Sequence, residues 1–268
     1  MNLPLIKLGD LAVTRFILGG NPFAGFSHQS RERDAEMRAW YDEARIVETL
    51  FQAQAAGVNA AILRGDAHMA GCLRRYWQEG GTMIWIGQTA SEAPTAADGA
   101  QFCLDHGASA CFIHGGVVDH LLAQGRTAEL EAAVERIRGA GLPAGIAGHA
   151  LEDFHWAEQH LALDFYMVCY YHPDSRRDSP HHKGGDDERF AAEDRDARVA
   201  LIQGLKRPAI HYKVLAAGRT PAPEAFRFAA QHMRPGDALC AGVFTKDKPE
   251  MIREDVDLLL AALGNASA

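Results

Sequence analysis

Two ionisable side chains sit inside or at the end of short apolar runs. His114 ends Ala110–Ile113, and Lys213 lies inside Ile210–Leu215. An imidazole can act as acid or base near neutral pH, or as a donor to a developing oxyanion. Gly115-Gly116 follows it and would let a ligand approach the backbone. A lysine within an apolar run is costly unless it is paired or used. Partial burial would lower its pKa and make it a base or a Schiff-base amine. The alternatives are a core histidine bonded to a carbonyl, and a lysine that fixes a carboxylate such as Asp66.

Other polar groups fall at the ends of similar runs: Asn21, Arg64, Asp66, His68, Gln88, His149 and His172, with Tyr212 beside Lys213. Arg64 and Asp66 form either a mutual pair or a grip on a substrate carboxylate or diol. Asp66 is a third candidate acid or base, and it also suits a helix N-cap. The others are candidate substrate contacts. His114, His149 and His172 come from three consecutive runs and form a candidate divalent-metal set, without HxH or HExxH spacing. His181-His182 lies in a very polar stretch and reads as solvated. Thr245-Lys246-Asp247-Lys248-Pro249 precedes a helical segment, so Thr245, Lys246 and Lys248 form a candidate phosphate site at a helix N-terminus.

These residues need a scaffold that gathers strand ends. Eight short apolar runs recur: 16–20, 58–63, 83–86, 110–113, 144–147, 165–169, 210–215 and 238–243. Most precede an alanine-rich helical segment, and alternation of this kind predicts a parallel sheet. Eight units in 268 residues predict a closed (β/α)8 TIM barrel forming a single domain over residues 1–268, with the active site where strands end. Ile6–Arg15 alternates around Gly9-Asp10 and predicts a short hairpin before the barrel. Helices are expected near 43–56, 67–78, 95–105, 127–139, 151–161, 191–204, 223–233 and 249–263, with a long first loop over 26–42. Residues 174–189, within PDSRRDSPHHKGGDDERF, are expected to be a lid over the site.

Bulk composition narrows the partners. Formal net charge is −8, with 47% hydrophobic and 23% charged residues. An acidic chain of ordinary composition argues against broad nucleic-acid binding and for a small-molecule substrate. No apolar run is long enough to span a membrane. MNLPLIKLGD lacks a signal-peptide pattern, and the five cysteines are scattered without CxxC. The expectation is a cytoplasmic protein with reduced core thiols.

The order of these segments resembles the aldo/keto reductase superfamily over most of the chain. Leu18-Gly19-Gly20-Asn21-Pro22-Phe23 resembles its opening strand, and Gly57-Val58-Asn59 its "Gly-Ile-Asn". Phe112-Ile113-His114 resembles the strand 4 histidine segment, and Tyr171-His172-Pro173 a strand 6 ending. Lys213-Val214-Leu215…Gly218-Arg219 resembles "Lys-Pro-Leu…Gly-Arg". Phe244-Thr245-Lys246-Asp247-Lys248-Pro249-Glu250-Met251 resembles the segment that grips the adenosine-side phosphate of the cofactor. The resemblance implies a barrel, with NADP as the cofactor and His114 in the active site. The sequence departs from the family's catalytic pattern elsewhere. Ile62 and Ala67 occupy the Asp and Tyr positions, and Ile86-Gly87-Gln88-Thr89 supplies no lysine. Ala147, Gly148 and Met167 or Val168 stand where the nicotinamide amide is held.

Three readings follow. The first is a barrel enzyme of this ancestry with changed, acid–base chemistry: an isomerase, lyase or hydrolase acting on a small polar carbonyl or sugar-like substrate. The second is a divergent NADP(H)-dependent oxidoreductase in which Asp66, His68 or Lys213 replaces the lost groups. The third is a non-catalytic small-molecule binding protein. Fold alone does not choose among them.

Overall fold

The computed structural model describes residues 3–172, 176–181 and 190–266. Strands are β1 (Leu5–Leu8), β2 (Leu11–Thr14), β3 (Phe16–Gly19), β4 (Ala60–Gly65), β5 (Ile84–Thr89), β6 (Ala110–Ile113), β7 (Ala144–Gly148), β8 (Phe165–Cys169), β9 (Ala209–Tyr212) and β10 (Ala238–Gly242). Helices are α1 (Arg31–Trp40), α2 (Glu43–Ala55), α3 (Ala67–Gln78), α4 (Ala96–Asp105), α5 (Gly115–Ala123), α6 (Thr127–Gly139), α7 (Leu151–His160), α8 (Ala192–Gly204), α9 (Ala222–His232) and α10 (Met251–Ala266). β3 to β10 pair in parallel and close into a barrel, with β10 joined to β3; β1 and β2 form a separate antiparallel hairpin.

The alternation along each strand builds two cores. Inward residues such as Ile17, Ile62, Phe112, Phe165 and Ile210 fill the barrel. Outward ones such as Phe16, Leu18, Leu63 and Ile113 pack against the helices. The hairpin contributes Ile6, Leu8 and Val13 to the inner cluster. Asn59 anchors it: its Oδ1 accepts from Thr14 N–H at 2.8 Å and its Nδ2 donates to Ala12 O at 3.1 Å. Arg15 then ties the hairpin's end to the last strand unit, donating to Asp237 O and Arg234 O at 3.0 Å each.

Helix starts follow from local chemistry. Asp42, Asp66 and Thr95 each cap the first turn of the helix that follows, accepting from Arg45, Met69 and Asp98 N–H. Gly57 ends α2 with φ of 88°, in the left-handed region. Two helices were not foreseen. α1 occupies part of the expected first loop; its sequence, RERDAEMRAW, buries only Asp34 and Met37, so it carries no apolar stripe to read. α5 begins with Gly115-Gly116, a weak helix former. The strand expected through Leu215 stops at Tyr212, because Lys213 turns left-handed with φ of 57°. No helix among the described residues is long and apolar enough to cross a membrane. All five cysteines are buried and unpaired.

Candidate active site

A cavity of about 880 Å³ opens at the strand ends, bordered by β3, β4, β5, β9 and β10 and extending to α10. Asn21, Arg64, Gln88, Tyr212 and Lys213 line it, as does His28, which the sequence reading did not single out. Among the described residues, four non-glycine residues are left-handed: His28, Lys213, Ala216 and Ala217. They fall in two loops that clasp each other across the cavity rim. Gln29 Nε2 donates to Ala217 O at 2.7 Å, and Arg219 Nη1 donates to His28 O at 3.0 Å. Such backbone costs about 1–3 kcal/mol per residue and gathers at functional sites.

Lys213 is the cationic end of this wall. Its ammonium makes no hydrogen bond or ion pair with the described residues, and it does not pair with Asp66. Arg64 does: its Nε meets Asp66 Oδ2 at 2.9 Å, and its Nη2 also bonds Glu92. With Oδ1 capping α3, both oxygens of Asp66 are engaged. It therefore holds Arg64 in place. Asn21 Nδ2 lies 3.3 Å from His28 Nε2. His68 is exposed on the first turn of α3, outside the cavity wall.

The other side of the mouth is crowded. His114 caps the approach to α5, and its backbone N–H donates to Thr89 Oγ1 at 2.9 Å. Its Nδ1 is buried without a partner among the described residues. Packing around the ring, then the charges of His149 and Arg176, push His114 down to about 3. Residues 176–181 are the described part of the expected lid; 174–175 and 182–189 lie outside the described residues. This part packs on α5. Arg177 O accepts from His120 Nδ1 at 2.9 Å, and a Cβ on Gly116 would lie 2.3 Å from Pro180 O. Gly116 is thus a close-approach glycine that lets the segment settle beside His114.

His149 follows β7 directly and is buried. Asp119 of α5 grips it twice, accepting from its backbone N–H at 3.0 Å and from its Nδ1 at 2.7 Å. Behind Asp119 stands Asp153, whose carboxyl is pushed up to about 8 by burial and by the Asp119 charge. Burial, then the Lys213 ammonium, pushes His149 well below the usual imidazole range. His149 O accepts from His172 Nδ1 at 2.8 Å and from Arg198 Nη2. His114, His149 and His172 therefore do not converge. Two of the three spend Nδ1 on protein partners, and among the described residues no group of three His, Cys, Asp or Glu could hold a metal ion.

The expected phosphate grip is occupied by protein. Thr245 Oγ1 receives Trp40 Nε1 at 3.2 Å, and Thr245 N–H donates to Tyr41 OH at 3.1 Å. Lys246 pairs with Glu36 at 2.7 Å, and Lys248 pairs with Glu254. At the positions where the resembling family holds the nicotinamide carboxamide stand Ala147, Gly148 and Met167 or Val168, all apolar, and of these Met167 lines the cavity. Each buried amide group left unmet there costs about 1–3 kcal/mol. The residues present do not fit a nicotinamide dinucleotide.

Asp119 and His28 were invisible to sequence reading for different reasons. Asp119 lies on the unforeseen α5, and His28 lies in a polar loop whose fold depends on a partner loop 190 residues away.

No protein-family profile matches the chain, and no curated protein matches its sequence. Solved structures do match in fold. An aldo-keto reductase from Bacillus halodurans in its holo form has a TM-score of 0.61 at 12% identity, covering 100% of this chain and 95% of that one. An aldo/keto reductase from Brucella melitensis has a TM-score of 0.61 at 10% identity, covering 98% and 99%. An archaeal fructose-1,6-bisphosphate aldolase, with its catalytic lysine covalently bound to a carbinolamine, has a TM-score of 0.50 at 15% identity, covering 91% and 92%. The architecture is thus a TIM barrel like that of the aldo-keto reductases, and at these identities the likeness is one of fold.

Proposed function

We propose that this barrel is a lyase- or isomerase-type enzyme acting on a small polar carbonyl or sugar-like substrate through a Schiff base on Lys213. The observation that carries this reading is Lys213 itself. It stands in a left-handed turn on the wall of a cavity of about 880 Å³, with no hydrogen-bond or ion-pair partner for its ammonium among the described residues. The amine attacks the carbonyl carbon, a C–N bond forms, and the oxygen leaves as water after protonation, giving an iminium ion. The iminium withdraws electrons from the neighbouring carbon, which eases loss of a proton or cleavage of a C–C bond. Arg64, held by Asp66 and Glu92, and the side chains of Asn21 and Gln88 line the same cavity and would hold substrate oxygens. The archaeal aldolase of the same fold forms its carbinolamine on a lysine, which lends the reading a precedent. The five buried thiols fit a reducing, cytoplasmic compartment.

The test is reduction with borohydride in the presence of dihydroxyacetone. Hydride adds to the iminium carbon and makes the link a permanent secondary amine. One adduct per chain, mapped to Lys213 by peptide mass and absent from Lys213→Met, is the expected result. A folded wild-type protein that gains no adduct sinks the proposal. The oxidoreductase reading is favoured by one feature: the cavity runs on past Lys248 and Met251 along α10. NADPH fluorescence decides it. Binding at low micromolar Kd or tighter, about −7 to −8 kcal/mol or stronger, would select that reading.

A further inference from the structure

At about 880 Å³ the cavity is the size of those that take drug-sized molecules, far more than a three-carbon ketone fills. Its second arm follows one face of α10, where Met251, Asp255 and Leu258 line it at i, i+4 and i+7. Pro221 at the start of α9 and Phe244 after β10 add to its apolar wall. Four carboxylates stand among the lining residues here, Asp247, Glu254, Asp255 and Asp257, beside the cations Arg33 and Lys248. Both cations are already paired: Arg33 with Glu36 and Asp247, Lys248 with Glu254. Asp257 meets Arg253 at 3.8 Å. Asp255 is left over. It is 4% exposed, and its buried Oδ2 has no hydrogen-bond partner among the described residues. A buried carboxylate without a partner is costly. Burial, then the Glu254 charge, push this carboxyl up to about 7, as befits a group that lacks a positive neighbour of its own.

We infer that this arm is a recognition site for a primary ammonium group, with Asp255 as its counter-charge, and that the substrate meeting Lys213 is an amino ketone or amino aldehyde. The substrate class rests on the Lys213 reading; the ammonium site does not. An ammonium supplies what Asp255 lacks, a positive charge and N–H donors, in a place where water screens little. Its hydrocarbon stem would lie on Met251, Phe244 and Leu258. A phosphate or carboxylate entering the same arm would meet carboxylates whose cationic neighbours are already paired, so anions are disfavoured there. The length of the cavity along α10 thus has a use other than holding a dinucleotide. No bond forms or breaks at this arm. It decides which carbonyl compounds reach Lys213, because both residues line one continuous cavity.

The experiment has two arms. In the first, benzylamine and benzyl alcohol, alike in shape but not in charge, are titrated by calorimetry into wild type, Asp255→Asn and Lys213→Met. Wild type should prefer the amine. Asp255→Asn should weaken benzylamine about 10–100-fold, the scale of a hydrogen bond to a charged group, and leave benzyl alcohol nearly unchanged. Lys213→Met should bind benzylamine at least as well as wild type. Equal binding of the two probes by wild type overturns the site, as does an Asp255→Asn protein that keeps the preference. That variant retains the shape and removes a buried charge without a partner, so it should fold. If it does not, amide shifts of the wild type decide: benzylamine must move the signals of Asp255 and its α10 neighbours, and unmoved signals overturn the site. In the second arm, borohydride traps para-aminomethyl acetophenone or para-methyl acetophenone. Wild type should trap the amine-bearing ketone at about 10–100-fold lower concentration, and Asp255→Asn should show no such advantage. Equal trapping of the two ketones overturns the substrate class. Absence of an adduct with either, while benzylamine still binds, defeats the Lys213 reading and the substrate class with it, and leaves the ammonium site standing.

Discussion

Beneath the helices, His211 of β9 and Asp237 form one aspartate–histidine pair; directly after β7, His149 and Asp119 of α5 form another. The first pair is fully enclosed. His211 Nδ1 meets Tyr170 OH at 2.8 Å, and Nε2 meets Asp237 Oδ2 at 3.4 Å. Asp237 also accepts from Ala209 N–H and from Arg234 through its backbone N–H, Nε and Nη2, all within 2.8–2.9 Å. Burial would push this carboxyl up, but the bonds from His211 and Arg234 bring it down to about 2. The second pair spends Nδ1 of His149 and leaves Nε2 without a partner among the described residues. The difference teaches that an aspartate beside a histidine is no sign of chemistry by itself. What counts is whether a lone pair remains once the protein has taken its share.

The sharpest way to break this contrast is to remove a carboxylate from the enclosed pair. Asp237→Asn leaves Arg234 and the buried strand end short of a charge partner, and loss of one member of a buried pair costs about 3–5 kcal/mol. Chemical denaturation should register that loss, while the folded fraction still traps ketone at Lys213. A stable variant that no longer traps would mean the two regions are coupled.

Acid offers a second comparison. His114 is pushed down to about 3 in the folded chain, against about 6.5 unfolded. A group depressed in this way contributes stability that is full above pH 6.5 and is lost as pH falls toward 3, because the unfolded chain binds the proton first. The slope is at most about 1.4 kcal/mol per pH unit for one proton. Urea midpoints at pH 7 and pH 5 should therefore fall less in His114→Gln than in wild type. Asp153 moves the other way: pushed up to about 8, it favours the fold below pH 3.8 and loses that contribution as pH rises through 8. It is present in both proteins, so it cancels in their difference. Equal acid sensitivity would show that the His114 ring takes up its proton without unfolding.

Smaller effects mark the segment before α10. Thr245→Val removes a hydroxyl that receives Trp40 Nε1, and should cost about 0.5–1.5 kcal/mol in stability. Lys246→Met breaks a surface pair with Glu36 that solvent screens, and should leave both stability and ketone trapping nearly untouched. If Lys246→Met instead abolishes trapping, this segment belongs to the substrate site.

The barrel was legible because each strand announces itself: an apolar run of β-branched and small residues, then a turn, then alanine-rich helix. Rim candidates such as Arg64, Gln88 and Lys213 could be named because strand ends in a closed barrel share one mouth. Their partners could not. Arg64 is bound to Glu92 across the β5 loop, and Asp119 reaches His149 from a helix opened by two glycines; both depend on three-dimensional neighbours that no local period records. His28 had still less of a signal, since its left-handed backbone is stabilised by a loop far along the chain. The phosphate site failed for a similar reason. Its lysines are present, but Glu36, on a helix too polar to foresee, and Glu254 neutralise them.

The hairpin has a consequence for how the molecule assembles. Ile6, Leu8 and Val13 enter the inner cluster from the end opposite the strand-end loops, while Arg15 bonds the backbone just ahead of β10 and Leu239 N–H donates to Arg15 O at 2.7 Å. The first ribbon of the chain is thus fastened to its last strand. The bottom of the barrel and the β10–β3 seam must close as one cooperative event, so amide hydrogens in the hairpin and along that seam should become protected together.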